Sequence, residues 1–137
     1  MDIFISINNR ERVLRIPVIP EEFQVESPFN NETYTTISQG DIKLIGLRGL
    51  KSISWQSFFP AKEYPFNRDN TYKAWEYVRV LEEFRDRRLP VRLVIPEAEI
   101  NMAATIDEFN YGLKDGSGDV YYSITLSEFK FVQIRGG

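Results

Sequence analysis

Val120-Tyr121-Tyr122-Ser123-Ile124-Thr125-Leu126-Ser127 decides how this chain is read. Val120, Tyr122, Ile124 and Leu126 fall at every second position, with Tyr121, Ser123, Thr125 and Ser127 between them. A period of two is the signature of a strand with one face in a core and one toward water. The pattern predicts a long final strand from Val120 to Val132. Its phase is harder to follow at Phe129 and Phe131, which predicts a bulge or twist near Glu128.

Upstream, Lys114-Asp115-Gly116-Ser117-Gly118-Asp119 reads as the turn of a hairpin. It lacks the twelve-residue ligand pattern and terminal Glu of an EF-hand calcium loop. Ile100 to Phe109 is the preceding strand, followed by Asn110-Tyr111-Gly112. Val91 to Ile95 is an apolar strand closed by Pro96. Toward the N-terminus, Ile3, Ile5 and Ile7 alternate, and Arg12 to Ile16 reads as a returning strand stopped by Pro17. Phe23 to Glu26 and the Thr- and Tyr-rich Glu32 to Ile37 are strand candidates. Ile42 to Ile45 pairs back through a turn at Gln39-Gly40-Asp41. Leu50 to Phe58 is a further strand, with Ile53, Trp55 and Ser57 on one face.

One segment departs from this period. Thr71 to Arg88 places Ala74, Trp75, Val78, Leu81 and Phe84 on one helical face, with Lys73, Glu76, Glu83, Asp86 and Arg87 mostly elsewhere. Asp69 or Asn70 can cap its N-terminus, Arg85, Arg87 and Arg88 suit its C-terminal dipole, and Pro90 ends it. The result is one domain over 1–137, mainly β (α+β): an antiparallel sandwich or barrel of eight or nine strands with one helix at about 71–88.

The composition excludes much chemistry. The chain has 137 residues, no Cys and no His, so it has no Cys/His zinc site, no Cys nucleophile and no Ser-His-Asp arrangement. Net charge is −3 from 17 basic and 20 acidic residues, too balanced for a nucleic-acid footprint or an anionic membrane partner. Met1 to Ile7 is not a signal peptide, and no stretch approaches a membrane span, so synthesis and folding in the cytoplasm are expected. Asp107-Glu108 and Glu21-Glu22 are adjacent carboxylates that point to opposite faces of a strand, and neither doublet makes a glycosidase pair. Gly46-Leu47-Arg48-Gly49 matches no phosphate-binding loop and reads as backbone flexibility. No cofactor is expected.

The least ordinary segment is Phe58-Phe59-Pro60-Ala61-Lys62-Glu63-Tyr64-Pro65-Phe66. A solvent-exposed loop is normally more polar. Two readings stand: the loop packs on its own domain, or it docks on a neighbour through Phe58, Phe59, Pro60, Tyr64, Pro65 and Phe66. Replacing Phe59 and Tyr64 by Ser weakens assembly without unfolding on the second reading, and unfolds the monomer on the first.

Several runs, in order, resemble a known family. They are Asn31-Glu-Thr33, Gly40-Asp-Ile-Lys-Leu-Ile-Gly46, Ile53-Ser-Trp-Gln-Ser-Phe-Phe-Pro-Ala61 and Tyr64-Pro-Phe66. Leu89-Pro-Val-Arg-Leu-Val-Ile95, Ile100-Asn-Met102, Ile106-Asp-Glu-Phe-Asn-Tyr111 and Gly118 to Phe131 follow. Together they resemble the N-terminal, non-LysM domain of the LysM-bearing baseplate proteins of contractile phage tails, PBSX-like defective prophages and tailocins. The resemblance implies a tail-tube-like fold and a structural, non-enzymatic role in tail assembly, as a hub or tube-proximal baseplate component. It also implies a hexameric ring in the virion tail, with other baseplate proteins and the tail tube as partners. A monomer in isolation is compatible with it. Many relatives continue into a LysM module, whereas this chain ends at Arg135-Gly136-Gly137, so glycan binding is not carried over. A peptidoglycan- or carbohydrate-binding module is the alternative, with exposed Trp and Tyr as stacking surfaces; burial of both Trp55 and Trp75 counts against it.

Overall fold

The computed structural model of the chain describes residues 1–131. Among them are nine strands: β1 (Phe4–Ile7), β2 (Arg12–Arg15), β3 (Phe23–Glu26), β4 (Glu32–Thr36), β5 (Gly40–Leu44), β6 (Ser52–Phe59), β7 (Val91–Ile95), β8 (Ile100–Leu113) and β9 (Val120–Glu128). One α-helix, α1 (Trp75–Asp86), lies between β6 and β7. The mainly β class with a single helix is therefore as the alternation predicts. The last strand ends at Glu128, short of the expected Val132: Phe129, Lys130 and Phe131 lie outside it, and Val132 itself is beyond the described residues.

Seven strands form one sheet in the order β2-β1-β7-β8-β9-β6-β3, and β4-β5 form a separate two-stranded sheet. Every pairing is antiparallel. The large sheet is strongly curled. Val18 follows β2 by three residues, a reach of about 10 Å at most, yet its carbonyl accepts a hydrogen bond from Ser57 Oγ in β6 at 2.9 Å. In a flat sheet β6 would stand five strand spacings from β2, about 24 Å away. The edges must approach one another, which makes the sheet an open barrel.

The face that receives the helix is apolar throughout. Ile5 pairs with Leu14 and Leu93, Trp55 and Phe109 both pair with Ile124, and Ile53 pairs with Leu126. All are buried in one core with Tyr77, Val78, Val80, Leu81 and Phe84 of α1. Each such side chain contributes about 1.5–3 kcal/mol by leaving water.

Three local expectations are corrected. The helix starts at Trp75, not Thr71. Asp69 does not cap it: its carboxylate accepts from the Thr71 hydroxyl at 2.7 Å and the Tyr77 hydroxyl at 2.7 Å. Ala74 at φ 40° then interrupts any helical path from Thr71. With that start the buried stripe includes Tyr77 and Val80, and Trp75 is turned outward at 42% exposure. The last helical residue is Asp86, with Arg88 left-handed at φ 56°, so only Arg85 of the three arginines sits in the last turn.

Second, the register irregularity lies between Ile106 and Glu108 in β8, not near Glu128. β9 buries Val120, Tyr122, Ile124 and Leu126 without interruption. The extra residue, Asp107, lets Ile106 and Phe109 share the core side despite their odd spacing. Third, β8 runs on through Asn110-Tyr111-Gly112 to Leu113 and closes a hairpin with Val120. Between them, Gly116 (φ 76°) and Gly118 (φ 89°) take left-handed turns as the hairpin reading expects.

Candidate protein-interaction surfaces

The six residues singled out between Phe58 and Phe66 divide into two groups. Phe59 is fully buried, with its ring parallel to Tyr122 at 4.1 Å and Tyr77 at 5.2 Å and its face edged by Phe109 at 6.4 Å. It is a core residue, and its assignment as a contact residue is corrected. Pro60 is buried as well, and its carbonyl accepts the Ala74 N–H at 3.0 Å. Strand alternation explains the split: Phe59 points into the core, so Phe58 points out.

Phe58 and Tyr64 are half-buried, and Pro65 and Phe66 are exposed. Tyr64 stacks on Phe66 at 5.1 Å, and Phe58 meets both edge-on at 6.2 and 6.1 Å. Tyr121 of β9 closes this aromatic shelf at 5.5 Å from Phe58. Offset and edge-to-face geometries of this kind add about 0.5–1.5 kcal/mol per pair beyond burial.

A single carboxylate fastens the shelf. Asp119, 4% exposed, accepts the Ala61 N–H at 2.7 Å and the Tyr64 hydroxyl at 2.9 Å. That bond, more than desolvation, raises the Tyr64 pKa. Asp115 plays a similar part for the hairpin turn. It accepts the Ser117 hydroxyl at 2.6 Å and the Tyr121 hydroxyl at 2.7 Å. The Ser117 hydroxyl foremost, then Tyr121, holds the Asp115 carboxyl down at about 2 and the Tyr121 pKa is raised by the same contact.

A second surface lies between β3 and β6. β3 and β6 are neighbours, and the chain between them, 27–51, is one interrupted hairpin that runs off the end of the sheet. Glu26 pairs with Ser52, Phe29 bridges Arg48, and Glu32–Thr36 pairs with Gly40–Leu44. Eleven residues from Ser27 to the tip at Ile37 allow a reach of up to about 36 Å. The neck of this arm is tight. The Asn30 N–H donates to the Leu47 carbonyl at 2.8 Å and the Gly49 N–H to the Pro28 carbonyl at 2.7 Å. A Cβ on Gly46 would stand 1.7 Å from the Asn30 carbonyl oxygen. Gly46 thus serves close approach of two backbones, which replaces the reading of backbone flexibility. Register makes the arm two-faced: Tyr34, Ile42 and Leu44 with Glu32 and Thr36 on one side, Thr33, Thr35, Asp41 and Lys43 on the other. Tyr34 and Leu44 are each 51% exposed, and Ile37, Ile45 and Leu47 more so.

At the opposite end of the sheet lies a third surface. Trp75 meets Tyr111 edge-to-face at 5.9 Å, and Leu113 follows on the same side of β8. All three are exposed. The two tryptophans therefore differ: Trp55 is buried with its indole N–H on the Tyr122 hydroxyl at 3.1 Å, and Trp75 is not. An open trough of about 1120 Å³ also runs along Gln24, Gln56, Phe58, Asn110, Tyr121 and Ser123. Among the described residues no group of three or more acidic side chains could hold a metal ion.

This curled sheet with one covering helix and a projecting arm has counterparts in known particles. The chain superposes on a chain of the tail of an empty gene transfer agent particle with C6 symmetry at a TM-score of 0.59, with 16% identity, over 99% of this chain and 96% of that one. It superposes on a chain of the virion of a native gene transfer agent particle at a TM-score of 0.56, with 18% identity, over 95% and 92%. The fold is thus the tail-tube-like one that the resemblance implies.

In sequence, the chain is 35% identical over 125 residues to the uncharacterized protein YqbP of Bacillus subtilis (strain 168). The match covers 89% of this chain and 57% of YqbP, so the chain spans little more than half the length of that relative. No family model matches the chain.

Proposed function

We propose that this chain is a structural component of a phage or phage-like contractile tail, a hub or tube-proximal baseplate subunit that acts by packing against other proteins. The observation that carries this reading is the end-to-end correspondence of its fold with a chain from a sixfold-symmetric tail. An arm with exposed apolar residues and a well-packed core in the same short chain supports it. Such an arm is a liability for a free monomer and an asset for a subunit that buries it in an assembly.

On this reading the subunit sits in a hexameric ring of the virion tail, beside the tail tube and other baseplate proteins, with no catalytic step of its own. It works without cofactors, nucleic-acid recognition or membrane insertion. Among the described residues no helix is long and apolar enough to cross a membrane.

The test is genetic and biochemical. Deleting the coding sequence from a tail-producing strain is expected to abolish complete tails, and a plasmid copy is expected to restore them with the chain in the purified particle. Complete, functional tails from the deletion strain would overturn the reading. A peptidoglycan- or carbohydrate-binding module would instead leave tails intact and lose attachment to cell-wall glycan.

A further inference from the structure

We propose that Asp115-Gly116 is a site of spontaneous covalent modification, the conversion of an aspartyl to an isoaspartyl linkage, which the hydrogen bonds from Ser117 and Tyr121 hold back in the native hairpin. The inference stands apart from the assembly reading, because it concerns the chemistry of this chain alone.

In this reaction the backbone nitrogen of the following residue attacks the side-chain Cγ of the aspartate. A Cβ on that following residue crowds the approach, so an Asp-Gly step is the most open to it. Asp115-Gly116 is the one such step in the chain. The other aspartates precede Ile3, Ile42, Asn70, Arg87, Glu108 and Val120, and no Asn precedes a Gly. Asp115 and Gly116 are both exposed in the turn between β8 and β9. A Cβ built on Gly116 would meet nothing within 4 Å, so no neighbouring group blocks ring closure.

The atoms balance with water as the only co-reactant. The Gly116 nitrogen bonds to Cγ of the neutral carboxyl and gives up its proton. The Cγ hydroxyl leaves as water, which closes a succinimide ring. Water then adds back to a ring carbonyl. Opening at the Asp115 main-chain carbonyl leaves the chain running through Cβ and Cγ, and opening at Cγ restores the aspartate. The isoaspartyl product has the mass of the starting chain, a longer backbone in the turn and a displaced carboxylate.

In the native turn both carboxyl oxygens are committed. Oδ1 accepts from the Ser117 hydroxyl at 2.6 Å and the Ser117 N–H at 3.1 Å, and Oδ2 accepts from the Tyr121 hydroxyl at 2.7 Å. Hydrogen bonds to an ionised acceptor favour its charged form. A carboxylate is a poor electrophile, and an oxygen held in this way does not leave as water. The same bonds fix the rotation of the side chain and oppose the swing that ring closure needs. Hydrogen bonding thus supplies the protection that steric crowding does not. The Ser117 hydroxyl is itself held, since it accepts the Asp119 N–H at 3.1 Å. Conversion would take the acceptor from Tyr121, whose ring lies 5.5 Å from Phe58, and would loosen the aromatic shelf on its β9 side.

The test follows the full chain over weeks in warm neutral buffer. Isoaspartate is located by peptide mapping and quantified by enzymatic methylation of isoaspartyl carboxyls. The native chain is expected to gain isoaspartate slowly and at Asp115, and the urea-unfolded chain several-fold faster. Ser117→Ala and Tyr121→Phe should each accelerate the conversion several-fold while hydrogen exchange shows β8 and β9 still protected. Ser117→Thr, which keeps the hydroxyl, should stay near the native rate. So should Tyr64→Phe, which loosens the shelf without touching the turn. If Ser117→Ala loses its fold, Tyr121→Phe decides alone. Equal rates in the native and unfolded chains, or no acceleration in a folded Ser117→Ala or Tyr121→Phe, would overturn the proposal. Isoaspartate arising first at another aspartate would overturn it as well.

Discussion

Replacing Asp119 with Ala tests whether one carboxylate holds the aromatic shelf on the sheet. The side chain is 4% exposed and accepts two hydrogen bonds, from Ala61 N–H at 2.7 Å and Tyr64 O–H at 2.9 Å. Hydrogen bonds to a charged group contribute about 1.5–3 kcal/mol each. Removing the acceptor also leaves the half-buried Ala61 N–H without a partner. Against this, the folded state no longer bears the desolvation of a carboxylate, which returns part of the loss. The net expectation is a destabilisation of about 2–4 kcal/mol, which for a domain of this size lowers Tm by roughly 7–14 °C. Urea unfolding followed by Trp fluorescence measures it directly. Tyr64→Phe, which removes one bond and keeps the ring stack with Phe66, should lose less than half as much. A loss below about 0.5 kcal/mol for Asp119→Ala, the range of an ordinary surface substitution, would refute the reasoning and return the shelf to simple hydrophobic packing.

Phe59→Ala should cost about 3–5 kcal/mol, because it empties the space between Tyr77 and Tyr122, whereas Phe66→Ser, at an exposed ring with two aromatic contacts, should cost less, about 1–3 kcal/mol; chemical denaturation of both variants checks the contrast. Gly46→Ala should disrupt the arm's neck while leaving the seven-stranded sheet intact. Hydrogen exchange would then show lost protection at Asn30 and Gly49 and unchanged protection in β8 and β9. Asp115 titrates lower in the folded chain, about 2 against an ordinary 3.8, so its contribution is fully present above pH 4 and is lost as pH falls toward 2. The stability gap between the native chain and Asp115→Asn should therefore shrink over that window, and a gap independent of pH would contradict the hydrogen-bonded turn.

Local pattern carried most of the fold. Strict alternation in Val120–Ser127 and Ile3–Ile7 placed β9 and β1 on the correct faces, because a half-buried strand has only one phase that suits it. The helix start was misplaced because Asp69, a good capping residue, has a competing use as acceptor for Tyr77, and that use depends on tertiary contact. Trp75 and Ala74 are adjacent, so the apolar stripe admits two settings about one residue apart, and only packing against the sheet chooses between them. The bulge was inferred in the wrong strand because Phe129 and Phe131, which break the alternation, lie past the end of β9 at Glu128, whereas the extra residue in β8 shows only as the odd spacing of Ile106 and Phe109.

The interaction surfaces were less legible for the same reason. The apolar run Phe58 to Phe66 pointed to an unusual loop, yet alternation at Phe58 and Phe59 alone could have told which ring faces out. A β4–β5 turn was legible in the sequence, though it lies at Ile37-Ser38-Gln39 and not at Gln39-Gly40-Asp41, whose last two residues belong to β5. Its projection beyond the sheet was not, since Glu32–Leu44 reads locally like any other hairpin. What marks it as an arm is the lack of a covering layer, a non-local property.

The position of this chain in a particle is the most direct test of a tube-proximal structural role. A cryo-electron microscopy reconstruction of the tail's tube-proximal end is expected to show six copies around the axis, each with Tyr34 and Leu44 of its arm buried against protein. A complete reconstruction in which no density fits this fold, or in which the arm projects into solvent, would contradict it.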